Sequence, residues 1–253
     1  MNYSVFASGV IGYKNRLKSK KSQDYMEYKV FDKGTICALA DGHSTEFFKY
    51  SYEGAKFACK SMISVLEKYL EKMQDLENDL EKNIIQKIIY NEWKDMVEKH
   101  YYTLNPVVFK TEYIKYGTTL IGVLISDEKI VYIKLGDGNI LVKKENKYTK
   151  VIDTKKNRTV DSMGKENAHE KMMYFVDNIG TNKINNIVIF TDGYENGFYS
   201  EKEMFEDLDK TIVKYNKNIF SRMNLYKNYK KHLNFISDKR SKDDISIIFL
   251  NKK

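Results

Sequence analysis

The chain has 253 residues, with 43 Lys and Arg against 35 Asp and Glu, a formal net charge of +8. Hydrophobic residues make up 42%, enough for a core without staples and too much for intrinsic disorder. No apolar run nears the roughly 18 residues needed to cross a bilayer, and the start, MNYSVFASGV, lacks the basic and apolar regions of a signal peptide. The lysines lie along helical stretches without a nucleic-acid recognition motif. A cytoplasmic protein is expected, neither membrane-bound nor specific for nucleic acid.

In chain order, residues 3–12 and 28–40 are predicted as strands. Between them YKNRLKSKKSQDY is predicted as a polar loop with five basic residues, Lys14, Arg16, Lys18, Lys20 and Lys21. Residues 45–71 and 77–100 carry apolar residues at helical spacing and are predicted as two long amphipathic helices. The only proline, Pro106, lies in the loop that follows. The period then changes from 3.6 to 2. TTLIGVLIS, KIVYIKL, NILVKKE and KYTKVI are predicted as four short strands, paired locally and antiparallel. Residues 153–170 are polar and loop-like, and MMYFV and NIVIF are two more strands. Ser200 and Glu203 form a capping box before a Lys-rich helical region that runs to about Ser237, and ISIIFL closes the chain as a strand. Cys37 and Cys59 lie at apolar positions, as buried reduced thiols would. Without repeats or a linker, the whole of residues 1–253 is expected to form one α+β domain with an antiparallel sheet system.

Three Asp-Gly dipeptides follow apolar strands: LADGH with Asp41, KLGDGN with Asp137 and IFTDGY with Asp192. A fourth acidic site, Asp243-Asp244, precedes the last strand. Each could be a turn or a helix cap. For Asp137, with strands on both sides, a hairpin turn is the simplest reading. Taken together, aspartates at strand ends offer rigid carboxylates, and glycine after them allows a backbone carbonyl to approach an ion. Oxygen donors without a Cys/His set suit Mg²⁺ or Mn²⁺, and two such ions about 3.5–4 Å apart can activate one water.

The ordered set SQD, LADGH, YGTTLIGVLI, KLGDGN, IFTDGY and KDDISIIF resembles the metal-dependent Ser/Thr protein phosphatases of type 2C, in their compact bacterial branch. The resemblance spans nearly the whole chain. It implies a four-layer α/β/β/α sandwich of two antiparallel sheets flanked by helices. It implies two Mn²⁺ or Mg²⁺ ions, with Asp41 bridging, the Gly42 carbonyl on one ion, and Asp192 and Asp243 completing the other. Asp24 would hold ion-bound water, Asp137 with Asp192 would take a third ion, and His43 would be the general acid toward the leaving alkoxide. Asp243 rather than Asp244 fits the ligand position. The phosphate-binding arginine expected just before Q-D is absent. Arg16 lies farther upstream, and Lys18 and Lys20 are nearer, so these three are the candidate phosphate-binding residues. Ser44 replaces a glycine after D-G-H, and GDGN lacks the arginine of the matching motif. The implied function is hydrolysis of phosphoserine and phosphothreonine in phosphoprotein substrates of a cognate kinase, by a monomer. Two alternatives stay open: a catalytically weak phosphoprotein-binding regulator on the same fold, and a small-molecule phosphatase.

Overall fold

The computed structural model describes residues 3–107, 110–145, 147–153, 160–179 and 184–252. Part of the expected loop, residues 154–159, lies outside them.

Among the described residues, ten strands form two five-stranded sheets, antiparallel throughout. One sheet has the order β1 (Tyr3–Val10), β10 (Ile245–Lys252), β9 (Ile184–Phe190), β6 (Asn139–Lys144), β7 (Lys147–Lys150). The other has the order β2 (Asp24–Phe31), β3 (Gly34–Asp41), β4 (Leu120–Ser126), β5 (Lys129–Leu135), β8 (Met173–Asn178). Cys37, Leu39, Ile121, Val123, Ile187, Ile189 and Ile248 fill the space between the sheets. The helices α2 (Ser51–Tyr69) and α4 (Ile84–Leu104) cover the β2–β8 sheet through Met62, Leu66, Ile89 and Trp93. On the other side α6 (Glu201–Lys217) and α7 (Ile219–Ile236) cover the β1–β7 sheet through Leu208, Tyr229 and Leu233. Each fully buried Leu, Ile or Met contributes about 1.5–3 kcal/mol. This is the expected four-layer sandwich. Among the described residues, no helix is long and apolar enough to cross a membrane.

Several predicted boundaries move, for tertiary reasons. The strand predicted over 28–40 is a hairpin, β2 and β3, turning at Asp32-Lys33 between the paired Phe31 and Gly34. The predicted basic loop contains a short helix, α1 (Tyr13–Leu17). It has no sequence periodicity of its own and is held by distant partners: the Asp244 carboxylate accepts from the Gly12 N–H at 2.5 Å and from the Asn15 amide at 2.9 Å. The helix predicted from residue 45 starts at Ser51, because the chain before it bonds sideways, His43 N–H to Gly117 O and Tyr50 N–H to Lys115 O. The second predicted helix is two, α3 (Leu76–Glu81) and α4, separated by Asn83 in the left-handed region at φ 58°.

Asp137 is the informative departure. The strands on its two sides, β5 and β6, lie in different sheets and do not pair: β5 pairs with β4 and β8, β6 with β7 and β9. The hairpin reading is therefore overturned. Gly136, at φ +97°, turns the chain across the end of the sandwich, from one sheet to the other.

Candidate active site

Asp41 is the last residue of β3, and the start of β4 pins it. Its N–H donates to Thr119 Oγ1 at 3.0 Å, and its carbonyl accepts from Thr119 N–H at 2.8 Å and Thr118 Oγ1 at 2.9 Å. The two threonines of YGTT are thus the clamp on Asp41. Thr119 also packs beneath Gly136, where a Cβ would come within 2.5 Å of its methyl carbon. Gly42 has no room for a side chain: a Cβ would lie 2.7 Å from Ser51 O and 2.8 Å from Gln23 O. Gln23 fixes the turn beyond, its amide donating to His43 O and Ser51 Oγ, both at 3.0 Å.

Asp24 pairs directly across β2–β3 with Asp41 and is buried. Its Oδ2 accepts from Thr191 Oγ1 at 2.9 Å, and Thr191 Oγ1 accepts from Ser246 N–H, a bridge between the two sheets. Its Oδ1 has no hydrogen-bond partner. Asp192 opens α5 (Asp192–Glu195) directly after β9. Asp243 is half-buried, and its Oδ1 accepts from Asp244 N–H. The Asp244 carboxylate is already engaged by Gly12, Asn15 and the Gln23 N–H at 2.6 Å. Of the pair, Asp244 anchors and Asp243 is left for the cluster.

The electrostatics show these carboxyls facing one another. Burial pushes Asp41 well above the carboxylate range, and the charges of Asp24, Asp192 and Asp243 push it further. Burial, then Asp244 and Asp192, raise Asp24 against the hydrogen bonds from Thr191 and Ser246. Burial and Asp137 lift Asp192 to about 6. Burial raises Asp243, opposed by the Asp244 N–H and by Lys14. His43 packs edge-on against Phe48 with ring centroids 4.6 Å apart. Burial lowers its pKa, Asp137 opposes that, and Lys165 adds to it.

The family profile described as protein phosphatase 2C matches residues 11–233. The chain belongs to that family. No curated protein matches it by sequence. Solved structures with the same fold include the serine/threonine phosphatase Stp1 from Staphylococcus aureus, at 14% identity, TM-score 0.63, and coverage of 100% of this chain and 96% of that one. The Mycobacterium tuberculosis serine/threonine phosphatase PstP/Ppp matches at 13% identity, TM-score 0.61, and full coverage of both. RsbX in complex with magnesium matches at 16% identity and TM-score 0.56, covering 98% of this chain and 94% of that one.

Phosphatases of this family are metal-dependent, and the carboxyl cluster fits a hard divalent cation. Its donors are oxygens, its charges repel one another without a counter-charge, and Asp24 keeps an unpartnered buried oxygen. Among the described residues, no three acidic, His or Cys side chains are already closed around one point.

Of the residues expected to bind phosphate, Arg16 is engaged elsewhere. Its guanidinium donates to Ile11 O at 2.5 Å and Asn234 Oδ1 at 2.6 Å, and pairs with Asp238 just past α7. It ties α1 to the C-terminal helical region. Lys18 is exposed just past α1, and Lys20 is half-buried. The cations that do act on the cluster are Lys14, against Asp243, and Lys165, against His43. Lys165 Nζ also donates to Val160 O at 2.7 Å. Lys14 is visible in the sequence only as one of five basic residues. Nothing local marks Lys165.

Proposed function

We propose residue roles for the reaction of this phosphatase, hydrolysis of phosphoserine and phosphothreonine in proteins. Asp41, Asp192 and Asp243, with the Gly42 carbonyl, would hold two Mg²⁺ or Mn²⁺ ions, Asp24 would order water beside them, and Asp137 with Asp192 would take a third. When bound, such ions supply a water nucleophile at neutral pH and offset charge on the phosphoryl oxygens. Thr118 and Thr119 keep the Asp41 backbone fixed while the carboxylate carries that load. Lys14 and Lys165 draw the phosphate in as point charges, without the bidentate fork an arginine offers. Lys18 and Lys20 extend the same basic approach. His43 holds a proton beside the leaving seryl or threonyl oxygen and gives it up as the ester bond breaks, and Asp137 favours that protonated form. A cognate kinase would make the substrates, and the phosphatase would act as a cytoplasmic monomer.

The observation that supports this reading is the gathering of Asp41, Asp24, Asp192 and Asp243 at one end of the sandwich. The test is turnover of a phosphothreonine peptide with Mn²⁺, with Mg²⁺ and with chelator. Turnover that needs the cation and is lost in Asp41→Asn is expected, while Lys165→Gln raises KM. Full activity in Asp41→Asn would overturn the assignment. Tight peptide binding with no turnover at any cation concentration would place the chain with the regulators.

A further inference from the structure

The strand register brings Asp137 and Asp192 out of the sheet together. Asn139 opens β6 and pairs with Phe190, the last residue of β9. The two strands are antiparallel, so the chain two residues before Asn139 and two residues after Phe190 leaves the ladder at the same end. Gly138 lets the crossover lie on that end: a Cβ there would come 3.0 Å from Phe190 O and 2.7 Å from Ile121 Cδ1. The charge of Asp137 accordingly acts on Asp192. The ladder alone does not fix the spacing of the two carboxylates, because both residues lie beyond its last pair.

One side chain ties the two segments beyond the ladder. The helix α5 is four residues long, with Asp192 first and Glu195 last, so the two side chains rise from one face of a single turn. Glu195 Oε2 accepts from Asn139 Nδ2 at 2.7 Å, two residues from Asp137. Its Oε1 accepts from Lys150 Nζ, at the end of β7, at 3.2 Å. Asn139 is 5% exposed and the Glu195 side chain 21%, so these are not loose surface pairs. Asn139 stands where the family's motif carries an arginine, and its neutral amide leaves the positive charge beside Glu195 to Lys150. Both Glu195 oxygens are engaged, which makes it a brace between the crossover and α5. Two carboxylates with like charge repel each other, and a brace of this kind opposes their separation.

We infer that Glu195 is a positioning residue of this phosphatase: with Asn139 it sets the spacing of Asp137 and Asp192, and so the affinity of the cation that these two carboxylates share. The inference rests on the third-ion role proposed above for that pair. Lys150 fixes Glu195 in turn, and none of the three touches the ion.

Calorimetric titration of Mn²⁺ into the cation-free full chain tests it. Asp137→Asn identifies the shared cation as the binding step that it removes. Glu195→Ala is expected to weaken that step about 10–100-fold, the usual cost of losing a residue that orients a ligand, and to leave the other steps unchanged. Glu195→Gln keeps an oxygen for Asn139 and is expected to restore most of the affinity. Asn139→Ala is expected to match Glu195→Ala, and the double variant to be no worse than either, because the two side chains act as one unit. The same number of binding steps in Asp137→Asn as in the wild type would overturn the third-ion role, and this inference with it. A step lost in Asp137→Asn but of wild-type affinity in Glu195→Ala would overturn the brace alone. Equal weakening of every step in Glu195→Ala, with a lower melting temperature of the cation-free chain, would also overturn it and leave Glu195 a purely structural residue.

Discussion

His43 sits at the join of two opposing influences. Phe48 and Gly117 enclose it, a Cβ at Gly117 reaching within 2.7 Å of its Cδ2, and that burial lowers its pKa. Asp137 pulls the other way, and it does so only because the β5–β6 crossover brings it to the same end of the sandwich. An acid in this position matters in proportion to the basicity of the leaving group. His43→Ala is therefore expected to lower kcat on a phosphothreonine peptide by about 10²–10⁴-fold. On an aryl phosphate, whose phenolate leaves unaided, the loss is expected to be small. Equal losses on the two substrates would show that His43 holds the fold of the site and donates no proton. Single residues are also where the sequence is most and least informative. Asp41 and Asp192 stand out because each follows an apolar strand run, and Asp243 because it precedes one. Lys165 does not, because it lies in a polar segment and only tertiary packing brings it to His43. Arg16 has the right chemistry for phosphate, but Asp238, 222 positions away, already engages it.

At the scale of elements, α2 is the spine behind the site, and its two close approaches differ in kind. Gly54 lets α2 sit on the residues before Thr118: a Cβ there would lie 2.0 Å from Tyr116 O, a backbone atom. The Gly54 carbonyl meanwhile accepts from Trp93 Nε1 at 3.1 Å, linking α2 to α4. Gly122, on β4, faces the Met62 side chain, and a Cβ there would lie 2.6 Å from its Sδ. Methionine is flexible and yields; a carbonyl in a packed turn does not. Gly122→Ala is expected to cost about 1–3 kcal/mol, at the low end as Met62 yields, and Gly54→Ala about 3 kcal/mol or more, in chemical denaturation. Gly54→Ala is also expected to impair turnover, since displaced residues 116–117 carry the contacts of Thr118 and His43. Equal costs would mean that α2 shifts freely on the sheet. The long helices and most strands are legible from period alone. The α1 helix and the sheet change at Asp137 are not: one depends on a carboxylate from the far end of the chain, and the other carries the signature of a hairpin while its strands find partners elsewhere.

Across the whole molecule, the fold gathers acidic groups that are unfavourable together. Asp192 rises from an ordinary 3.8 to about 6 through burial and Asp137, and Asp24, Asp41 and Asp243 rise too. A carboxyl whose folded pKa exceeds its unfolded value binds its proton more tightly when folded. Its contribution to stability is present at low pH and is lost as pH rises through that window. Asp207 has the opposite sign. Burial pushes it up, but the hydrogen bond and charge of His232 outweigh that and hold it low. Its stabilisation is present at neutral pH and fades only as pH falls through its lowered value. His43, held low by burial, acts in the opposite direction over the same range, but the four raised carboxyls outnumber it. The cation-free protein is therefore expected to be more stable near pH 5.5 than at pH 7.5. Each kcal/mol should shift the melting temperature by about 2–4 °C at this size. Adding Mn²⁺ or Mg²⁺ should raise the melting temperature more at pH 7.5, where the carboxylates are ionised and free to bind, than at pH 5.5, where protons compete. Asp192→Asn should flatten the cation-free profile. A cation-free melting temperature that does not change with pH, or a cation shift of the same size at both pH values, would mean that the cluster is neither repulsive nor a metal centre.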